Sequence, residues 1–224
     1  MKRRLWAVGA LVFALTLALN APAAFLARFV NWAPDWQPQG IQGTLWRGQM
    51  QRLGAIGPLR WDIRPWSGQA QVNAGFQQQG WELNAQGWPW AWRAELMPVT
   101  GRVTPATGYV LDGRWQGRLL IQGRGATCMS SQGELSGKDL ALLSPWMVLL
   151  GNAQLRLECR GGLKLLAEVR RDAEHRFEIG LEPAMSRIKL SGQVEPEAMV
   201  TPVLVQAGLL KPGASQFETV LGKR

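Results

Sequence analysis

Seven consecutive residues, Ala153-Gln154-Leu155-Arg156-Leu157-Glu158-Cys159, alternate between apolar and polar side chains, and the same period of two recurs along the body of the chain. Ile41, Gly43 and Leu45 alternate with Gln42, Thr44 and Trp46, and Leu59, Trp61 and Ile63 with Arg60, Asp62 and Arg64. Arg187 to Ser191 repeats the pattern. Successive side chains of an extended strand point to opposite faces, so this period means strands with one dry and one wet face, the habit of antiparallel sheet. Glycines at positions 43, 57, 68, 80, 87, 101, 113, 123 and 133 punctuate the runs. They fit hairpin turns and bulges, where a positive φ or a close backbone approach is needed. Residues 41–224 therefore read as one mainly β domain, an antiparallel, curved sheet with one or two short helices.

Two stretches carry helical spacing. Lys138 to Leu150 holds Leu140, Leu142, Leu143, Trp146, Met147 and Leu150, and Ser144-Pro145 suits an N-cap followed by the first helical position. Pro196 to Leu210 offers Met199, Val203, Leu204, Ala207 and Leu210, with Pro202 forcing a short or kinked helix.

The chain starts Met-Lys-Arg-Arg and then runs from Leu5 to Ala27 without a charge. A continuous helix over that run would be roughly 34 Å long, enough for a hydrocarbon core of about 30 Å. Lys2, Arg3 and Arg4 before it predict a cytoplasmic N-terminus (residues 1–4), a single-pass anchor (5–27) and export of everything after it. Trp32 and Trp36 stand where an outer aromatic belt would lie, and residues 28–40, with Pro34, Pro38 and Gly40, read as a spacer. The alternative is a cleaved leader ending near Ala21-Pro22-Ala23. The three basic residues carry +3 of a net charge of +9, so the exported part is only mildly basic.

Export puts Cys128 and Cys159 in an oxidising space. Two cysteines cannot make a four-ligand zinc site and are not spaced as CxxC, so a single disulfide is the default and a reactive thiol pair the alternative. With one histidine in 224 residues, a His-rich metal site or two-histidine hydrolase is excluded. No Gly-x-Ser-x-Gly elbow and no Walker loop occurs. His175, in Glu174-His175-Arg176-Phe177, reads as a solvated strand residue, and Glu158, Glu168, Glu174 and Glu178 as polar strand positions with nothing to single out an acid–base pair. Arg156, Arg160, Arg170, Arg171 and Arg176 read as solvated faces rather than a nucleic-acid grip. No enzyme and no cofactor is expected.

Twelve tryptophans against one tyrosine is an unusual balance. Trp81, Trp88, Trp90 and Trp92 cluster after Trp61 and Trp66, and Gly87-Trp88-Pro89-Trp90 reads as an irregular turn, since proline cannot donate to a ladder. An aromatic binding platform and ordinary packing against a curved sheet are the two readings.

Gly43-Thr44-Leu45-Trp46-Arg47-Gly48, followed by Leu59-Arg60-Trp61-Asp62-Ile63-Arg64-Pro65-Trp66, resembles the opening of the type II secretion system protein N family (general secretion pathway protein N). Gly133-Glu134-Leu135, Asp139-Leu140, Leu150-Gly151 and Gln154 to Cys159 with Gly161-Gly162-Leu163 resemble its second half. The resemblance covers most of residues 1–195; the segment from Pro196 on matches less clearly. It implies a non-enzymatic accessory subunit, held in the inner membrane of a Gram-negative cell with its body in the periplasm. Such a subunit acts through contacts with other secretion subunits, of the inner-membrane platform or the secretin, during export of folded proteins. Sheet edges and unpaired tryptophans are the natural contact surfaces. Trp46 on the Gly43–Gly48 strand comes first, then Trp81, Trp88, Trp90 and Trp92. The layout is also similar to AsmA-like periplasmic proteins, whose curved sheets bind or transfer lipid. That alternative requires a row of apolar side chains open to lipid rather than packed under a second layer.

Overall fold

The computed structural model describes residues 2–102, 110–144, 146–159, 162–182 and 187–222. Two helices open the chain, α1 (Lys2–Leu19) and α2 (Ala23–Ala27). Four short strands follow: β1 (Pro38–Gln39), β2 (Gln42–Gly43), β3 (Arg47–Met50) and β4 (Arg52–Leu53). The long strands are β5 (Ile56–Arg64), β6 (Gln69–Phe76), β7 (Gln79–Trp88), β8 (Ala91–Arg102), β9 (Val110–Arg124), β10 (Thr127–Ser144), β11 (Val148–Glu158), β12 (Lys164–Arg171), β13 (His175–Glu182) and β14 (Arg187–Val194). A six-residue helix, α3 (Thr201–Gln206), precedes the last strand, β15 (Gln216–Gly222).

All strands belong to one curved, open, antiparallel sheet. From β5 to β14 each strand pairs with the strand before and after it in sequence, and β15 ends the order against β14, so the meander is built almost wholly from local hairpins. At the start, β3 and β4 both pair with β5, β1 pairs with β4 and β2 with β3. The stretch expected to be a spacer thus contributes Pro38–Gln39 to the sheet margin.

Register fixes what each face carries. Directly opposed residues share a face, so Leu59, Trp61 and Ile63 of β5 stand with Ala74, Val72 and Ala70 of β6. Those stand with Trp81, Leu83 and Ala85 of β7, which in turn meet Pro98, Leu96 and Ala94 of β8. The row continues through Leu119 and Ile121, Leu135, Leu155, Ala167, Ile179 and Leu190. The other face of the same strands holds Asp62, Gln71, Asn84, Arg93, Gln122, Glu134, Arg156, Glu168 and Arg176. One face is apolar along the sheet and the other mainly polar, though register also places Met97, Leu120, Leu166 and Val220 on it.

Among the described residues, only the C-terminal end of the apolar face is roofed. The segment around α3 packs Ala198, Val200, Leu204 and Leu210 onto Val148, Phe177 and Val194, with Val169 and Phe217 at the margin. Toward β5–β8 the apolar residues are half-buried, and Leu83 is exposed. The total accessible surface, 15458 Å², is far above the roughly 10,000 Å² of a compact globule of this mass. A single uncovered sheet face and an N-terminal helix standing off the sheet account for the excess.

Three expectations are corrected. Residues 138–150 are not helical: Lys138 to Ser144 ends β10 and Val148 to Leu150 begins β11. Leu140 and Ala141 are buried between neighbouring strands, and cross-strand packing overrides the helical spacing; Pro145 lies outside the described residues. The Gly43–Gly48 strand is a hairpin in which β2 and β3 flank a loop at Thr44–Trp46. The apolar run Leu5–Ala27 is two helices rather than one, because Pro22 lacks an N–H and forces the preceding backbone out of the helical region. No helix of the described residues is long and apolar enough to cross a membrane. The C-terminal helical spacing does yield α3, shortened to begin beside Pro202.

Candidate functional site

On the uncovered part of the apolar face, aromatic rings lie across glycines. Trp61 is opposite Gly48 and Trp92 opposite Gly123, and in each pair the ring fills the space a Cβ would take. Phe177 stands over Gly192 in the roofed part in the same way. A glycine without side chain in mid-strand exposes backbone and packs nothing, and an aromatic ring laid over it restores both. Of the glycines expected at turns and bulges, Gly80, Gly123 and Gly133 sit inside strands, and of these three Gly123 is the one under an aromatic ring.

The indoles are anchored by their N–H groups. Trp61 Nε1 donates to the carbonyls of Thr44 (3.2 Å) and Leu45 (3.0 Å), and Trp92 Nε1 to the carbonyl of Gly125 (2.9 Å). Trp81 packs at 5.7 Å from Trp115, and its buried Nε1 has no hydrogen-bond partner. Trp46 is half-buried, its carbonyl accepting from the Ile63 amide. Trp81 and Trp92 are therefore packing residues of the apolar face. Trp88 and Trp90 differ: they flank the Pro89–Trp90 turn, exposed, with their rings stacked at 5.6 Å. The tryptophan cluster of the sequence is split between face and loop tip.

A further exposed indole, Trp66, sits on the turn Pro65–Ser67 closed by Gly68 in the left-handed region. Sequence reading did not single it out, although Pro and Gly bracketing a tryptophan is itself a turn signal. Hydrogen bonds tie these tips into one row. Leu45 N donates to Ala21 O (3.0 Å), Gly87 N to Gly68 O (2.8 Å), and Arg124 Nε to Trp90 O (3.2 Å). Cys128 and Cys159, joined in a disulfide with Cα atoms 5.3 Å apart, tie the open end of the β10–β11 hairpin on the same side.

The polar face is laced by ion pairs, across strands from Arg47 to Asp62 (3.0 Å), Arg156 to Glu134 (2.8 Å) and Arg176 to Glu168 (3.0 Å), and along β5 from Arg64 to Asp62 (3.1 Å). The hydrogen bond from Arg64 holds the Asp62 carboxyl below the ordinary aspartate range. Glu158, Glu168 and Glu178 line one shallow depression with Arg156 and Lys189. Their neighbours are cations on adjacent strands, an arrangement that fixes register rather than poising an acid against a base. No group of three or more metal-ligating side chains occurs among the described residues.

His175 is not solvated. It is 6% exposed, stacked on Phe177 at 4.6 Å, with Nε2 3.1 Å from the Leu150 carbonyl and Nδ1 buried without a partner. Burial lowers its pKa, because a second proton on Nδ1 would meet no acceptor. The expected solvated position is corrected: alternation puts His175 with Phe177 and Ile179 on the apolar face, at the end where Phe177 is covered by the segment around α3.

Compared with known families, residues 34–210 match the family described as type II secretion system (T2SS), protein N. The match runs from the 3-10 turn at Pro34–Trp36 through the whole of α3, so it includes part of the segment after Pro196. No curated protein and no solved structure matches the chain.

Proposed function

This chain belongs to the type II secretion system protein N family, and from that premise we propose that it is a non-enzymatic accessory subunit working through periplasmic contacts during export of folded proteins. The family match over the body of the chain carries this reading. The apolar run Leu5–Ala27 seats in the inner membrane as a kinked anchor with the basic N-terminus on the cytoplasmic side. The exposed, unpaired apolar surface of α1, including Trp6 and Phe13, supports it. Tethering raises the local concentration of the body near its partners, so weak contacts suffice. The surface offered for them is β15, terminal in the sheet order and paired only with β14, whose outer N–H and C=O groups suit strand addition.

A second reading is favoured by the uncovered apolar face across β5–β8, which has the dimensions and chemistry to take the acyl chains of a lipid. One experiment separates the two. Full-length chain carrying an affinity tag is crosslinked in cells, solubilised and captured. Recovery of secretin or inner-membrane platform subunits supports the assembly reading. Recovery of phospholipid at about one molecule per chain, without secretion subunits, supports the lipid reading and overturns the first.

A further inference from the structure

Antiparallel hairpins put alternate connections at the same end of a sheet. At one end lie the Thr44–Trp46 loop, the Pro65–Gly68 turn, the Pro89–Trp90 turn, the turn at Gly125 and the start of β10. This is also the end at which the apolar N-terminal helices join the body: Pro22 bridges to Thr44, and Ala21 O accepts from Leu45 N. The tips there carry Trp66 (66% exposed), Trp88, Trp90 (64% exposed) and Met129. Arg93 and Arg124, beside the paired indoles, have no ion-pair partner among the described residues. The opposite end differs in chemistry. Its described tips are Gln77-Gln78, Trp146-Met147, Asp172-Ala173-Glu174 and the Glu195–Glu197 corner; Phe76, Met147 and Met199 are exposed there, but none of these tips carries an exposed indole.

We propose that the strand-end row bearing Trp66, Trp88, Trp90 and Met129 seats in the headgroup layer of an anionic phospholipid membrane, Arg93 and Arg124 meeting lipid phosphates. Exposed indoles beside unpaired arginines form a surface costly to leave in water and matched to the interface, where an indole keeps its ring apolar and its N–H wet. Anionic headgroups supply the missing countercharge. The position of the N-terminal helices selects the occupant: they deliver this end of the sheet, not the opposite one, to the bilayer surface. The sheet then stands on its strand ends with strands running away from the membrane, held at several points instead of swinging on one tether. The inference rests on the reading of the N-terminal run as a membrane anchor.

The test uses the full chain in vesicles of phosphatidylethanolamine and phosphatidylglycerol. Because Cys128 and Cys159 are bonded to each other, one added cysteine takes an environment-sensitive fluorophore at Trp66→Cys, Trp90→Cys or Gln77→Cys. Lipids brominated high on the acyl chain should quench the probes at 66 and 90 at least twofold and leave the probe at 77 unchanged. Hydrogen exchange on the unmodified chain gives the same comparison without substitution: vesicles should slow the amides of residues 66–68, 88 and 90 and not those of 77–78. Flotation separates the two readings. A chain that does not float with the vesicles overturns the anchor and this inference together. A chain that floats, with probes and amides at 66 and 90 as wet as those at 77, overturns this inference alone and leaves the tips to a protein partner.

Discussion

The benzo ring of Trp92 lies over Gly123, its register partner on the next strand, with Cζ2 2.2 Å from where a Cβ on that glycine would stand. The backbone carbonyl of Thr127 is only 2.6 Å from the same point, so neither side of the contact can give way cheaply. Trp92 is held at the same edge of its ring by the hydrogen bond from Nε1 to Gly125 O. Gly123→Ala should therefore lower unfolding stability by about 1–3 kcal/mol, the range for overpacking a filled site. Urea denaturation checks it, with Gly125→Ala, where no atom lies within 4 Å, as a comparison for backbone strain alone.

Removing the disulfide should loosen the β10–β11 hairpin at its open end. The bridge closes a loop with a sequence separation of 31, worth roughly 3–4 kcal/mol in a chain-entropy treatment. Cys128→Ser with Cys159→Ser should lower the denaturation midpoint accordingly, and reducing agent should do the same to the unmodified chain but not to the variant.

His175 is the chain's single histidine, which makes its titration easy to isolate. Its pKa is lowered in the folded state by burial, so the unfolded chain binds more protons once the pH drops to about 6.5, the ordinary histidine value. Stability is fully present above that value and is lost as the pH falls toward the folded pKa. Denaturation midpoints measured from pH 7.5 down to 5 should decline. In His175→Gln, which keeps a donor for the Leu150 carbonyl, they should stay level over the same interval.

Burial along the apolar face also predicts an uneven response to truncation. Leu135 is 1% exposed, and Leu135→Ala should cost about 2–5 kcal/mol. Leu83 lies on the same face at 36% exposure, and Leu83→Ala should cost less than about 1 kcal/mol. Comparable losses at both positions would mean that the β7 end is covered in solution, and would remove the opening on which the lipid reading depends.

The sequence by itself determined the strands of the body, their antiparallel pairing and the division into a polar and an apolar face. Ala153 to Cys159 and Leu59 to Arg64 carry that pattern locally, since strand periodicity needs no information from distant residues. The pairing of Cys128 with Cys159 followed from there being only two cysteines in a chain expected to be exported. What covers each face was decided by the tertiary structure alone. His175 and Trp81 both stand in apolar–polar alternation in sequence. One ends at the roofed end of the apolar face and one on its open part, because burial depends on segments far along the chain, whereas Trp90 lies in the turn that Pro89 announced. The leucines of residues 138–150 show the same limit: helical spacing lost to cross-strand partners that a local reading does not see.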